Sequence, residues 1–248
     1  MLVTREFVQW PNVCALVAKP AGPPGRRWPA VVAWSDIFQL TPPHVRIVTR
    51  LASHGFLVVA PELYGRFEPP GTVFDFDADR SRALEASAKT RLEWIDEDTR
   101  AVLDAVAARD DVGDLAALGW CFGGHVAFRA AFDGRVKAAA CCYPTGVHDG
   151  KLGDRDGKST RAGSIERAGE ISGELLLVWG REDPHIPADG RAALHAALER
   201  ASVKFEARLF DAQHTFMRDE GARYDAEAAD RAFVAIVDLL RRTLAPLR

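Results

Sequence analysis

The stretch of the sequence with the clearest chemical meaning is Gly-Trp-Cys-Phe-Gly at 119–123, which places one cysteine between two glycines. An apolar run, 115–120, leads into it, and a segment suited to a helix follows. A nucleophile at a sharp turn from strand to helix has a strained backbone, which costs about 1–3 kcal/mol, and neighbouring side chains would crowd it. The glycines relieve this crowding, and the N-terminus of the helix favours a thiolate. The pattern predicts that Cys121 is a nucleophile, although a small core cysteine beside incidental glycines is the alternative.

A nucleophile of this kind requires an acid and a histidine, which follow it in the chain order nucleophile, acid, histidine. Asp183 comes shortly after the apolar run 174–180, and His214 comes after the run 203–210. We expect His214 to exchange a proton with the thiol, and Asp183 to fix the tautomer of the imidazole and stabilise its charged form. Glu182 is the alternative acid.

The remaining histidines and cysteines indicate no second site. His185 comes too early in the chain order to be the base, and His125 is expected to pack in the core. No C-x-x-C pair occurs, so the sequence predicts neither a zinc site nor another metal centre. Cys141 and Cys142 lie in an apolar run and are predicted to belong to a core strand. The histidines left as structural or surface residues are His44, His54, His148 and His195.

The composition is typical of a globular protein. Of its 248 residues, 48% are hydrophobic and 27% are charged, and the net charge of −3 argues against a dedicated nucleic-acid surface. No apolar run approaches the length of about 18 residues that crosses a bilayer. The first ten residues lack the layout of a secretory signal. We therefore expect one domain over residues 1–248, located in the cytoplasm, with neither a membrane nor a nucleic acid as partner.

The alternation of strands and helices predicts the fold class. Short apolar runs alternate with longer segments in which apolar residues recur every three or four positions, and this indicates an α/β fold. Its sheet is expected to be mostly parallel, with helices on both faces and an antiparallel pair at the start. The polar connection 143–173 is either a lid or a surface excursion. The predicted strands are 6–10, 13–20, 30–34, 55–61, 115–120, 136–143, 174–180 and 203–210, and the predicted helices are 42–54, 94–108, the stretch after 121, 188–200 and a C-terminal segment.

With these residues placed, the sequence resembles the dienelactone hydrolase family of α/β-hydrolases, whose members are carboxymethylenebutenolidase-like. The resemblance extends from about Ala30 to the C-terminal helix. Its most specific feature is the Gly-x-Cys-x-Gly-Gly turn, because most α/β-hydrolases have serine at the central position. Three further segments are similar to the family: APELYGR at 60–66, GTVFDFDADRSR at 71–82 and HTFMRDE at 214–220.

The resemblance implies roles for five further residues. A carboxylate after the third strand takes part in activating the thiol, and Asp36 occupies that place. The backbone N–H groups of Ile37 and Phe122 would form the oxyanion hole, which stabilises the charge of a tetrahedral intermediate. Two arginines hold the substrate carboxylate in true dienelactone hydrolases. Arg218 matches one of them, and Arg82 matches the other when one residue is inserted after LYGR.

The sequence departs from the family pattern in two places. Asp36 stands where the family more usually has the longer glutamate. The aromatic residues that follow the first arginine are absent, and Ala86 and Lys89 stand there. We therefore expect a remodelled pocket, in which either arginine could also be a solvated surface residue and dienelactone itself need not be the substrate.

The leading hypothesis for the function is a cofactor-independent hydrolase of a lactone or small carboxylic ester, which works through a Cys-His-Asp triad and an acyl-enzyme intermediate. The partner is then a small-molecule ester or lactone. A broader esterase or thioesterase, or a member that hydrolyses phosphotriesters, is the alternative. Two hypotheses come from other classes: a non-catalytic binding protein of the same fold, and a redox-sensing thiol protein in which Cys141 or Cys142 approaches Cys121.

Overall fold

Eight strands form one sheet in the computed structural model, which describes residues 1–10, 13–150, 152–153 and 163–244. The strands are β1 (Val3–Trp10), β2 (Val13–Pro20), β3 (Trp28–Trp34), β4 (Leu57–Pro61), β5 (Val112–Trp120), β6 (Val136–Cys142), β7 (Glu174–Gly180) and β8 (Phe205–Phe210). Their order across the sheet is β1-β2-β4-β3-β5-β6-β7-β8. The first two strands pair antiparallel, and β2 is antiparallel to β4, whereas every pairing from β4 to β8 is parallel. The predicted α/β class and the predicted opening pair are confirmed.

The central strands are buried because their residues are apolar on both faces. All five residues of β4 and all seven of β7 are buried, which is typical of parallel strands covered by helices on each side. Cys141 and Cys142 at the end of β6 are fully buried, so their predicted place in the core is confirmed. The helices that accompany the sheet are α1 (Pro42–Ser53), α2 (Arg80–Lys89), α3 (Leu92–Ala107), α4 (Phe122–Ala130), α5 (Ala188–Arg200) and α6 (Ala226–Thr243).

The apolar stripe of the C-terminal helix faces the sheet. In α6, the four residues at helical spacing that the sequence singles out, Ala229, Phe233, Ile236 and Leu240, are all buried. The helix packs on β6 and β7, and the Asp225 side chain accepts a hydrogen bond from the Ala228 backbone at its N-terminus. Burial of an amphipathic face, more than helix propensity, therefore holds α6 in place.

Helix α2 is the main element that the sequence pattern did not predict. Its buried positions are Ala83, Ala86 and Ser87, whose small side chains give no visible apolar period. Part of the polar connection 143–173 lies outside the described residues. Its described portion contains a short 3₁₀ helix, Ala168–Glu170, and the fully buried Ser164, so this portion is packed against the body of the protein.

Candidate active site

The turn between β5 and α4 holds Cys121 in a strained conformation. Its φ of 55° and ψ of −118° lie in a region that residues other than glycine rarely adopt. A Cβ atom on Gly119 would lie 1.9 Å from the carbonyl oxygen of Gly123, and one on Gly123 would lie 2.2 Å from the carbonyl oxygen of Ser35. Neither position can carry a side chain. The glycines therefore permit the close approach of strand, turn and helix that presents the cysteine.

His214 is held by Asp183 and reaches Cys121. Nδ1 of His214 lies 2.6 Å from Oδ2 of Asp183, and both side chains are almost completely buried. The other carboxylate oxygen, Oδ1, accepts a hydrogen bond of 2.8 Å from the backbone N–H of His185. The Cys121 side chain lies close enough that its negative charge raises the pKa of His214. Asp183 rather than Glu182 thus meets the imidazole, and Cys121 lies within electrostatic reach of it.

The electrostatic environment favours a protonated His214. Burial alone would lower its pKa, but the negative charge of Cys121 and the hydrogen bond with Asp183 raise the pKa to about 10. A charged imidazolium beside a cysteine stabilises the thiolate, which is the reactive form of the thiol. The arrangement therefore places a cationic imidazole beside the candidate nucleophile.

The loop after β3 places Asp36 and Ile37 next to the nucleophile turn, because β3 and β5 are neighbouring parallel strands. Oδ1 of Asp36 accepts a hydrogen bond of 2.9 Å from the backbone N–H of Phe38. Burial raises the pKa of Asp36, and the Phe38 N–H and the charge of Arg218 oppose that shift. Among the described residues, the backbone N–H groups of Ile37 and Phe122 donate to no protein acceptor. Both are available to an oxyanion.

The two arginines suggested by the resemblance have different surroundings. Nη1 of Arg218 lies 3.5 Å from Oδ2 of Asp36, and the Phe76 ring centre lies 4.0 Å from the guanidinium carbon. Arg82 forms an ion pair with Glu68, lies over the Phe74 ring, and has a side chain that is 53% exposed. Arg218 thus belongs to the candidate site, whereas the recorded contacts of Arg82 are outside it, and a role for Arg82 toward substrate stays a prediction.

Two aromatic contacts of His214 were not found from the sequence. The Tyr143 ring, directly after β6, meets the imidazole at 5.2 Å between ring centres, and the His185 ring meets it at 4.8 Å. Tyr143 could have been found from its position, because a residue that follows a strand next to β5 emerges at the same edge of the sheet. Within the described ranges, no three His, Cys, Asp or Glu side chains form a cluster that could hold a metal ion.

The model of the dienelactone hydrolase family matches residues 13–244, which is nearly the whole chain. The chain belongs to the dienelactone hydrolase family. The family assignment that the sequence motifs suggested is therefore confirmed, and the protein is an ester or lactone hydrolase.

Relatives with this activity in their names match over most of their length. A Pseudomonas carboxymethylenebutenolidase is 27% identical to this dienelactone hydrolase family member over 219 residues, which cover 87% of this chain and 85% of the relative. A Saccharomyces cerevisiae protein provisionally named carboxymethylenebutenolidase is 33% identical over 235 residues, covering 91% of this chain and 84% of the relative.

Solved structures establish the α/β-hydrolase fold. A Klebsiella pneumoniae protein provisionally named dienelactone hydrolase superposes with a TM-score of 0.79 at 24% identity, covering 97% of this chain and 99% of its own. A dienelactone hydrolase-like promiscuous phosphotriesterase from metagenomic libraries gives the same TM-score at 22% identity, covering 98% of this chain and 99% of its own. No helix among the described residues is long and apolar enough to cross a membrane.

Proposed function

We propose that this hydrolase cleaves a lactone or small carboxylic ester without a cofactor, with Cys121 as nucleophile, His214 as acid and base, and Asp183 as the residue that orients the imidazole. The observation that carries this proposal is the strained Cys121 beside a buried His214, which lies 2.6 Å from Asp183 and whose pKa is raised by the charge of Cys121. Nucleophile, base and orienting acid in such contact are the signature of covalent acyl transfer.

In the first half of the reaction, the Cys121 thiolate attacks the carbonyl carbon and forms a tetrahedral oxyanion. The backbone N–H groups of Ile37 and Phe122 stabilise its charge. As the intermediate collapses, the bond to the leaving oxygen breaks and the His214 imidazolium gives its proton to that oxygen. The product is a thioester on Cys121. When the substrate is a lactone, the leaving hydroxyl remains attached to the acyl chain.

In the second half of the reaction, water releases the acyl group. Neutral His214 removes a proton from a water molecule, the hydroxide attacks the thioester carbonyl, and the Cys121 thiolate leaves. The proton stays on His214, so the thiolate–imidazolium pair is restored. Asp183 stabilises the imidazolium throughout, because its carboxylate accepts the Nδ1–H hydrogen bond.

The buried core cysteines favour hydrolysis over a redox role. Burial raises the pKa of Cys141 and of Cys142, so neither thiol forms a thiolate readily. The sequence retains all three residues of the proposed triad, which also argues against a non-catalytic binding protein. Hydrolysis by this site requires only the chain and water. In the proposal, Asp36 takes part in activating the thiol, and Arg218, which lies beside it, meets the substrate.

The test compares Cys121→Ala with Cys141→Ala on a panel of lactones, p-nitrophenyl esters, thioesters and phosphotriesters. Phosphotriesters are included because a structural neighbour is named for that activity. We expect Cys121→Ala to abolish turnover and Cys141→Ala to retain the rate per folded molecule. Iodoacetamide should inactivate the enzyme in step with alkylation of Cys121, mapped by peptide mass spectrometry. Turnover by Cys121→Ala at the wild-type rate would refute the proposal.

A further inference from the structure

A fully buried histidine lies one helical turn after the nucleophile and is not explained by packing alone. Nδ1 of His125 lies 2.7 Å from the carbonyl oxygen of Thr145, and Nε2 lies 2.5 Å from Oγ of Ser164. Both His125 and Ser164 are fully buried. This contact joins α4 to two parts of the connection that follows β6.

The partners determine where the protons are. A carbonyl oxygen can only accept, so Nδ1 of His125 carries a proton and donates it to Thr145. Burial lowers the pKa of His125 to about 3, against the effect of the Thr145 hydrogen bond, so the ring is neutral at physiological pH. Nε2 is then an acceptor, and the hydroxyl of Ser164 must donate to it.

The far end of the chain of hydrogen bonds is an ion pair. Nη1 of Arg129 donates to the Ser164 oxygen at 2.9 Å, and the same guanidinium donates to both carboxylate oxygens of Asp96 at 2.8 Å each. The Arg129 side chain is completely buried. Every hydrogen bond from Asp96 through Arg129 and Ser164 to His125 therefore has one defined direction, which holds His125 in a single tautomer.

The near end of the chain reaches the backbone of the nucleophile. The N–H groups of Thr145 and His125 both donate to the carbonyl oxygen of Cys121, each at 3.3 Å, and the Cys121 N–H donates to Cys142 at 3.0 Å. The His125 side chain closes this loop, because its ring donates to the same Thr145. The backbone of the strained Cys121 is thus held in a closed loop of hydrogen bonds that runs through Thr145 and His125. In this loop, the His125 ring provides a side-chain hydrogen bond and the backbone provides the others.

We propose that His125 is a positioning residue for the nucleophile: through Thr145 it holds the backbone of Cys121 in its strained conformation, and Ser164 and Arg129 keep His125 in the tautomer that this requires. The proposal rests on the proposed role of Cys121. A shift of the Thr145 backbone would move the sulfur relative to His214 and the oxyanion hole, so the effect falls on the chemical step rather than on substrate binding.

The test uses two variants, each of which replaces one of the two ring nitrogens of His125 by a side-chain amide. His125→Asn keeps a donor near the Nδ1 position, whereas His125→Gln places its amide toward Ser164 and loses the hydrogen bond to Thr145. For His125→Gln we expect kcat to fall about tenfold with KM changed less than about twofold, the scale of one lost hydrogen bond. For His125→Asn we expect kcat within about threefold of the wild type. The rate at which iodoacetamide alkylates Cys121 should also fall more in His125→Gln than in His125→Asn.

The matched control is His195→Gln, which removes another packed histidine, one that contacts Trp179 on β7. We expect it to lower the melting temperature without changing kcat. Ser164→Ala provides a second test if His125→Gln fails to fold, and should lower kcat about threefold, since it removes the hydroxyl that fixes the tautomer. Nitrogen NMR of the wild-type protein should show His125 protonated at Nδ1.

Two results would overturn the proposal: an unchanged kcat per folded molecule in His125→Gln or Ser164→Ala, or equal losses in His125→Asn and His125→Gln. If Cys121 is not the nucleophile, the result is different: Cys121→Ala would remain active. The alkylation rate of Cys121 reports the position of the thiol in either case.

Discussion

Arg218 and Asp36 face each other in the candidate active site, with Nη1 of the arginine 3.5 Å from Oδ2 of the carboxylate. The guanidinium lies against the Phe76 ring, and its Nε donates to the backbone carbonyl of Glu220 at 3.2 Å. Arginine has five N–H donors, so these contacts leave others for a ligand. A substrate carboxylate would meet a cation that is already oriented, and would compete with Asp36 for it.

This geometry predicts a substrate-dependent effect of Arg218→Ala. For an anionic lactone, kcat/KM should fall roughly ten- to hundredfold, because a charge-assisted hydrogen bond contributes about 1.5–3 kcal/mol. For a neutral ester such as p-nitrophenyl acetate, the change should be small, because no partner charge is lost. Steady-state kinetics on matched anionic and neutral substrates provide the measurement.

The control for this prediction is Arg46→Ala. Arg46 is an exposed arginine that pairs with Asp219, the residue next to Arg218, so its loss disturbs the same segment without removing the candidate ligand. We expect Arg46→Ala to leave kcat/KM nearly unchanged for both the anionic and the neutral substrate. Equal losses on anionic and neutral substrates in Arg218→Ala would show that the arginine supports the segment after His214 and does not bind a carboxylate.

A second prediction concerns the glycine before the nucleophile. Gly119→Ala should abolish activity and lower stability by about 2 kcal/mol or more, because its Cβ would lie 1.9 Å from the Gly123 carbonyl oxygen. Gly169→Ala is the matched control, since a Cβ there meets nothing within 4 Å. Thermal unfolding and kcat of both variants test the prediction. A Gly119→Ala protein with normal kcat would contradict the tight turn around Cys121.

A third prediction follows from His44 on α1, which is neutral and buried. Its ring lies edge-on to the ring of Trp120, the last residue of β5. Burial lowers its pKa to about 4, against the hydrogen bond with the Ala33 backbone. Below pH 6.5 the unfolded chain binds a proton at this residue and the folded protein does not, so stability is lost as the pH falls from about 6.5 toward 4.

The slope from this one residue is roughly 1 kcal/mol per pH unit. His44→Gln should therefore flatten the pH dependence of the unfolding free energy in that range, measured by urea unfolding at several pH values. Asp36, which lines the same small cavity, acts in the opposite direction, because burial raises its pKa. Parallel curves for the variant and the wild type would contradict this account of His44.

A fourth prediction concerns metal ions. The proposed reaction uses a thiolate, an imidazolium and backbone N–H groups, none of which needs a metal. Dialysis against a chelator should therefore leave the hydrolysis rate unchanged. A loss of activity that zinc or manganese restores would contradict the prediction.

The sequence predicted the strands of the sheet better than the helices that lack an apolar stripe. The run 174–180 matches β7 at both ends, because five consecutive apolar residues follow Glu174 and Gly180 ends the strand. Helix α2 was missed because alanine and serine fill its buried face. The proximity of Cys121, Asp183 and His214 could be anticipated, since chain order and parallel strands bring these residues to one edge of the sheet.

The pairing of Arg129 with Ser164 could not be anticipated in the same way. Arg129 lies on α4 and Ser164 lies in the polar connection after β6, 35 positions later in the chain. No local sequence pattern specifies that Ser164 packs against α4. From its place one turn into α4, the sequence predicts only that His125 packs in the core. It is buried as expected, but both ring nitrogens also have polar partners.

The contact between Gly123 and the end of β3 has a consequence for how this site can diversify. A Cβ on Gly123 would meet the carbonyl oxygens of Ser35 and Trp34 at 2.2 and 2.3 Å, so the helix after the nucleophile rests directly on the main chain of the neighbouring strand. The gap between the sulfur and the loop that begins at Asp36 is thus set by peptide groups, which every sequence shares. Substitution of the side chains that line the pocket can therefore change substrate specificity without changing the distance between the Cys121 sulfur and the backbone of this loop.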